Sequence, residues 1–586
     1  MIDKKIKNKS FVYLILILLV AILLRFYKIS TLPYPLNGDE KAFGYYAWSV
    51  SHFGTDEYGN KFPLYFPSIG DYKYPVYAYL TAPFAYIFGL NSYLPRLVSS
   101  LASILMIFVI YKFSKLLFKS EKIALLSAGL LAISPWNITF SRTASESNLM
   151  TLLSFSGFYF LYKYLIINQK FKDIFISYIL LTLSLFTYSV SRIFIPIMIL
   201  FLFIFSIIQK NKFKTKKILI LLIFISFITC LSFINPASRA RANSISVLSR
   251  SQTRQEWIND SAYVLGLGQP TNPFITRVFF NKPIALVNEL FQRYLIHFSP
   301  NYLFVSGDIV KLNAIHNFGN FYIFEIIFFI IGISLLIKKI FKKDFSSFII
   351  IAGILISPIA ASATIETPSA VRQLVGLPYF IIAISLGLNF LIKKIKWAMI
   401  PIIIVYIYFF LFLILSIFKI KPFQQPWTTD QGNKQLADLI WKVKDNYKYI
   451  FVPNDSYIDF LFYKKVTPKD FLSESTIKLE KIGEWNRVSQ YKNIIYNVDK
   501  SCPKTGQLNA LYVCRGEEIS PYSNIVDIIR YNDNVPQYII IDFLPNHKPT
   551  STLPTGIKYI KDQDLDKRWP NSIFTNPNQY YLDLIL

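Results

Sequence analysis

Long apolar runs recur through the first 420 residues of this 586-residue chain, and no other feature constrains its fold as tightly. A stretch of about 20 residues with few charges crosses the hydrocarbon core of a bilayer as a helix, because a helix satisfies its own backbone polar groups where water is absent. Such runs lie near 11–29, 94–111, 123–140, 149–165, 174–190, 193–208, 218–234, 321–337, 346–362, 373–391 and 398–418, which predicts about 11 transmembrane helices. Apolar residues make up 53% of the chain and the mean hydropathy is +0.38, so the fold class is a polytopic α-helical membrane protein. The run at 11–24 leads into Arg25 and Tyr27 rather than into a small-residue cleavage site, and reads as a retained anchor.

Charge orients these spans. The chain carries 62 Lys and Arg against 35 Asp and Glu. This excess is not gathered on a soluble domain, which argues against nucleic acid as a partner. Lysines crowd the N-terminus (Lys4, Lys5, Lys7, Lys9) and every second loop, at 112–122, 163–172, 210–217, 338–343 and 393–396. Short Lys-rich loops are retained in the cytoplasm, so the N-terminus is expected inside and, after an odd number of spans, the C-terminal region outside. The alternate short loops carry one Arg each instead, Arg142, Arg192 and Arg372. A guanidinium offers paired bonds to phosphate or carboxylate that an ammonium does not.

Three longer segments fall on the outer side: 30–93, 235–320 and 419–586. The first is rich in Pro, Tyr and Phe, which suits a surface in the headgroup layer. The second holds Arg239, Arg241, Arg250 and Arg254, a set able to hold an anionic lipid head. The third has soluble composition, with β-like runs at Tyr449–Val452, Asn493–Tyr496 and Tyr538–Ile541 and an amphipathic stretch from Lys434 to Val443. The expected organisation is a transmembrane module over 1–420 with outer loops 30–93 and 235–320, followed by an extracytoplasmic mixed α/β domain over 421–586. Cys502 and Cys514 share that outer region, where a disulfide between them is open, though spacing alone does not decide it.

The residues able to carry chemistry stand on the outer side. Asp39 and Glu40 follow Gly38 just past the first span. One of them can serve as a general base, while the plain alternative is that Asp39 caps a helix starting near Lys41. Lys73 lies in Asp71-Tyr72-Lys73-Tyr74-Pro75. Arg142 and Glu146, in Ser141–Asn148, either act together at a site or pair across one helical turn. Arg372 opens the tenth span, where it either snorkels to the interface or meets a lipid phosphate. Phosphate-cradling Gly-rich loops, His-Glu-x-x-His and paired Cys motifs are missing from the sequence, and His52, His297, His316 and His547 are scattered, which makes a metal site built from them alone a poor reading.

These residues resemble the polytopic glycosyltransferases that use a polyprenyl-phosphate sugar, a GT-C-fold group (glycosyltransferase family 39-type) containing protein O-mannosyltransferases and the aminoarabinose transferases of lipid A. The resemblance runs through most of 10–420. It is strongest at Asp39-Glu40, Tyr72–Tyr77, and Ser134-Pro135-Trp136 leading to Arg142 and Glu146; Asn317-Phe318-Gly319 with Glu325 and Arg372–Pro378 are similar as well. It implies that Asp39 is the base deprotonating an acceptor hydroxyl, with Glu40 in support and Glu146 as a second acid. It further implies that Lys73, in a Lys-Pro-Pro-like stretch whose first Pro is here Tyr74, contacts the donor phosphate; independently of the resemblance, Lys73, Arg142 and Arg372 are cations able to stabilise the charge that develops on a departing phosphate.

The expected reaction is transfer of a sugar from a polyprenyl-phosphate donor to a hydroxyl on the outer face, with inversion. The partners are that lipid-linked donor, a protein, lipid or glycan acceptor, and the bilayer. A divalent cation as cofactor stays open. Two rivals are a transporter or flippase of lipid-linked sugars and a glycan-binding or assembly protein acting through its C-terminal domain. The ionisable groups gather at one surface rather than at the midplane, which favours the enzyme over the transporter.

Overall fold

A computed structural model describes residues 2–68, 71–239, 246–247, 278, 281–423, 431–453, 457–473, 478–482, 485–497, 501–545 and 553–559. The chain divides into two compact units, one built from 1–29 with 96–419 and the other from 30–95 with 420–586. One unit boundary falls between Lys419 and Ile420. Residues 30–95 belong with the C-terminal part of the chain.

The first unit is a bundle of helices, and the eleven apolar runs all fall on helical segments, the run at 123–140 on a bent pair. Among the described residues eight helices are long and apolar enough to cross a membrane, or nine with one bent pair counted as a span. The others are shorter: Phe171–Leu185 has 15 residues and Glu325–Ile340 has 16. The bent pair, Glu121–Ile133 and Pro135–Ser141, turns by 56° at Ser134. Pro135 lacks the N–H that would continue the first helix, and the Ser134 hydroxyl accepts from Asn137 N at 3.4 Å to start the second. Large apolar side chains such as Phe11, Ile223, Ile404 and Leu411 point outward, as hydrocarbon surroundings require.

Small residues let the inner helices approach. A Cβ on Gly332 would sit 1.9 Å from the Ala383 carbonyl oxygen, and one on Gly387 would sit 1.9 Å from that of Phe328. The helices Glu325–Ile340 and Leu377–Lys394 therefore touch backbone to backbone. Arg25, fully buried near the end of the first helix, is satisfied by the Ala21 and Ala132 carbonyls, Ser103 Oγ and Asn137 Oδ1.

In the second unit a short hairpin, β1 (Phe66–Pro67) and β2 (Tyr72–Lys73), precedes a mixed sheet of β3 (Tyr449–Pro453), β4 (Lys478–Ile482), β5 (Trp485–Tyr491), β6 (Ile494–Asn497), β7 (Ala510–Cys514), β9 (Asn524–Arg530) and β10 (Pro536–Asp542). Its order is β4-β5-β6-β3-β7-β10-β9, while β8 (Glu518–Ile519) pairs separately with β11 (Lys558–Tyr559). Within the seven-stranded sheet, among the described residues, β3 alone runs parallel to its neighbours, β6 and β7, and the separate β8–β11 pair is parallel as well. The three expected β runs and the Asn433–Val443 helix are all present. Cys502 and Cys514 form a disulfide within the apolar cluster of Tyr512, Ile539 and Phe543.

Candidate active site

Of the candidate residues, Asp39, Glu40 and Lys73 belong to the second unit and Arg142, Glu146 and Arg372 to the first. In the second unit the helix Gly38–Phe53 begins at a capping box: Asn37 Oδ1 accepts from Glu40 N at 2.9 Å, and Glu40 Oε2 accepts from Asn37 N at 3.1 Å. The helix thus starts three residues earlier than expected, and its cap is Asn37 rather than Asp39. Asp39 lies in the first turn, where the helix dipole favours an ionised carboxylate.

Asp39 meets Lys73. The Lys73 ammonium is 2.8 Å from Asp39 Oδ1 and 2.9 Å from Asp71 Oδ2; its side chain is 5% exposed, whereas that of Asp39 is 63% exposed. The hairpin explains why a lysine can be buried here: β1 pairs with β2 in a register that sets Lys73 opposite Phe66. Tyr74, at the position of the family pattern's first Pro, adopts an extended conformation and caps the helix that Pro75 opens. Glu40, expected in a supporting role, is buried and spends its carboxylate on the cap.

In the first unit, Arg142 and Glu146 do not share a helical turn. Arg142 follows the Pro135–Ser141 helix and Glu146 begins the next, Glu146–Lys163, which is capped by Ser145. Arg142 donates to the carbonyls of Leu24 at 2.6 Å, Arg25 at 3.2 Å and Tyr27 at 2.7 Å, tying down the end of the first helix. Its guanidinium also stacks on Phe418, 4.8 Å from the ring centre. Glu146 is buried at its helix N-terminus, where the dipole stabilises negative charge.

Arg372 is largely enclosed by protein. Its side chain is 12% exposed and Nη1 donates to Glu366 Oε2 at 3.0 Å, while Nε is buried without a hydrogen-bond partner among the described residues. Beside it Gln373 is fully buried, and both atoms of its amide lack partners among the described residues. The turn Ala370–Gln373 that carries both is fixed through its backbone: Trp136 Nε1 donates to the Ala370 carbonyl at 3.1 Å, and Ser147 Oγ to that of Val371 at 2.5 Å.

His297 and Asp308, which sequence reasoning did not place here, complete this support. His297 Nδ1 donates to the Arg293 carbonyl at 2.7 Å, so Nε2 is left to accept from Ser369 N at 3.2 Å. Asp308 Oδ2 accepts from Ala370 N at 2.6 Å and Oδ1 from Val310 N at 2.8 Å. Burial pushes the His297 imidazole down to about 4 and the Asp308 carboxyl up to about 6. Both groups receive backbone N–H groups from residues more than 60 positions away, contacts that no local pattern announces.

Among the described residues no three His, Cys, Asp or Glu side chains gather as ligands for a metal ion. Of the basic set in the second outer loop, Arg241, Arg250 and Arg254 lie outside the described residues.

Residues 72–234, which hold Lys73, Arg142 and Glu146, match the family model described as dolichyl-phosphate-mannose-protein mannosyltransferase. Among solved structures, ArnT from Cupriavidus metallidurans bound to undecaprenyl phosphate is 11% identical, with 90% of this chain and 97% of that one covered at a TM-score of 0.51. The fold is therefore shared over nearly the full length of both chains. The oligosaccharyltransferase AglB from Archaeoglobus fulgidus, in complex with an inhibitory peptide and a dolichol-phosphate, is 15% identical at a TM-score of 0.47; the match covers 78% of this chain and spans 60% of that longer one. No curated protein matches the sequence. The family resemblance read from the motifs and the polytopic GT-C-like fold are thus both met.

Proposed function

We propose that this chain is a membrane glycosyltransferase that moves a sugar from a polyprenyl-phosphate donor to a hydroxyl acceptor on the outer face of the membrane. The observation that carries this reading is the Asp39–Lys73 pair: a solvent-accessible carboxylate, relieved of capping by Asn37, beside a buried ammonium. The family match over residues 72–234 and the fold shared with an undecaprenyl-phosphate-bound protein supply the chemical class of the donor.

The residues suggest how transfer proceeds. Lys73 has two carboxylate partners, so a donor phosphate reaching its ammonium displaces Asp39 while Asp71 keeps the lysine in place. Asp39 then accepts the proton of the acceptor hydroxyl as that oxygen bonds to the anomeric carbon from the face opposite the phosphate. The carbon–oxygen bond to phosphate breaks, polyprenyl phosphate leaves as its anion, and the sugar inverts. Lys73 opposes the charge that grows on the leaving oxygen; for Arg372 the proposed role remains binding of a donor phosphate, and its Nε is buried without a hydrogen-bond partner among the described residues. Arg142 acts through the end of the first helix and Glu146 as a second acid. The lysine pattern of the short loops sets the N-terminus in the cytoplasm and these residues with the C-terminal domain outside. A donor flipped across the membrane meets the need for an activated sugar on a face that cytoplasmic nucleotide sugars do not reach.

Deleting the gene and measuring lipid-linked sugars by mass spectrometry tests the proposal. A polyprenyl-phosphate monosaccharide is expected to accumulate and to clear when the gene is restored. An unchanged lipid-linked pool would count against a role in consuming it.

A further inference from the structure

Lys41 follows the proposed base by two residues and has no part in the reaction as derived, yet its ammonium is one of the most deeply buried charges in the second unit. It pairs with Asp459, 418 residues away, and the two side chains are 1% and 2% exposed. The other oxygen of Asp459 accepts from Asn433 Nδ2 at 2.8 Å. Asn433 Oδ1 accepts in turn from Tyr538 Oη at 2.8 Å and from Gln537 Nε2 at 3.3 Å, and Gln537 Oε1 accepts from Gly432 N at 2.7 Å. A continuous set of buried polar contacts therefore runs from the helix of Asp39 to β10 of the C-terminal sheet.

Packing follows the same route. Gly44 leaves no room for a side chain, since a Cβ there would lie 2.7 Å from Phe462 and 2.8 Å from Pro95. Tyr45 Oη donates to the Val466 carbonyl at 2.8 Å. A surface ion pair would add little, but a buried one that loses a partner leaves a charge with nowhere to be solvated. Such a pair fixes a register between two segments far apart in sequence. Rotation or sliding of the Gly38–Phe53 helix would break it.

We infer that Asp459 is a positioning residue: through Lys41 the C-terminal domain holds the helix that carries Asp39 and so sets where the carboxylate stands. This rests on the assignment of Asp39 as base. It gives the C-terminal domain a task in transfer that does not require it to touch either substrate.

The test uses the full chain in nanodiscs. In Asp459→Asn, which keeps the shape of the side chain and removes its charge, backbone amides of residues 38–43 are expected to exchange hydrogen at least tenfold faster, with the Pro75–Phe88 helix unchanged. With radiolabelled undecaprenyl-phosphate mannose as donor and an envelope extract as acceptor, kcat should fall tenfold or more while KM for the donor stays within twofold. Lys41→Met should behave alike, and Lys41→Met/Asp459→Asn should be no slower than Asp459→Asn alone. Unchanged exchange in Asp459→Asn overturns the clamp, as does a double variant whose loss is the product of the two single losses. A wild-type kcat in Asp459→Asn beside an inert Asp39→Asn overturns the clamp and leaves the base standing. Full activity in both variants sinks the base and the clamp together, and if the wild type does not turn over this donor, the exchange result decides the clamp alone. If Asp459→Asn does not accumulate, Tyr45→Phe carries the same expectation at about threefold in exchange and kcat, and wild-type values there overturn it.

Discussion

His297 and Asp308 brace adjacent amides at the start of the Arg372 turn, and their titrations should oppose one another. The carboxyl is raised from 3.8 to about 6 and the imidazole lowered from 6.5 to about 4, each chiefly by burial, with Glu366 further raising Asp308, and Arg372 lowering His297 and tempering the rise at Asp308. An acid raised on folding contributes stability that is full below its ordinary pKa and lost as pH climbs through the folded value. A base lowered on folding contributes stability that is full above its ordinary pKa and lost as pH falls through the folded value. Each shift corresponds to about 3 kcal/mol. Between roughly pH 4 and 6 the two slopes have opposite sign and similar size, so the wild-type profile should be nearly flat there.

Substitution uncovers each partner. Asp308→Asn removes the carboxyl's titration and should leave a protein that loses stability on acidification; His297→Gln should give one that gains it. For a unit of this size the change between pH 7 and pH 4.5 amounts to roughly 5 °C in melting temperature, in opposite directions for the two variants. Melting followed by intrinsic fluorescence in detergent measures it. Parallel profiles for the wild type and both variants would refute the reasoning, since neither group would then be held in its neutral form by the fold.

Other expectations follow from single contacts. Lys73→Met should weaken retention of undecaprenyl phosphate at least tenfold in native mass spectrometry, with little loss of stability from the Asp39 contact because that carboxylate is mostly exposed. Asn37→Ala should cost about 1 kcal/mol and fray the first turn of the Asp39 helix, visible as faster amide exchange at Glu40. Gly387→Ala should cost more than about 2 kcal/mol by forcing apart the helices Glu325–Ile340 and Leu377–Lys394, read as a lowered melting temperature. Cys502→Ala/Cys514→Ala, which opens a loop of sequence separation 12, should cost about 3 kcal/mol in chemical denaturation of the C-terminal region.

The membrane helices were legible because hydrocarbon leaves so few backbone solutions, and the strands around Tyr449, Ile494 and Tyr538 because β-branched and aromatic residues cluster there between turns. The bend at Ser134-Pro135 was hidden: hydropathy runs through it unbroken, and only the missing proline N–H marks the break. The cap of the Asp39 helix is legible in the sequence, since Asn37-Gly38-Asp39-Glu40 has the spacing of a capping box, with the capping side chain two positions before Asp39. His297, Asp308 and Asp459 could not be read in this way. Their partners stand 72, 62 and 418 positions off, and a single sequence carries no signal for such pairings. For Arg372 the sequence leaves snorkelling and a phosphate contact both open, and it does not announce that Glu366, six residues before it, takes one of the guanidinium's donors.

The central claim is that Asp39 is the base of a sugar transfer from polyprenyl phosphate. Its most direct test is the rate at which purified Asp39→Asn, in nanodiscs, moves label from radiolabelled undecaprenyl-phosphate mannose to an envelope extract, beside the wild type. A positioned base contributes about 10²–10⁴-fold, so the variant should be at least a hundredfold slower while still binding undecaprenyl phosphate. Turnover within threefold of the wild type would contradict the account.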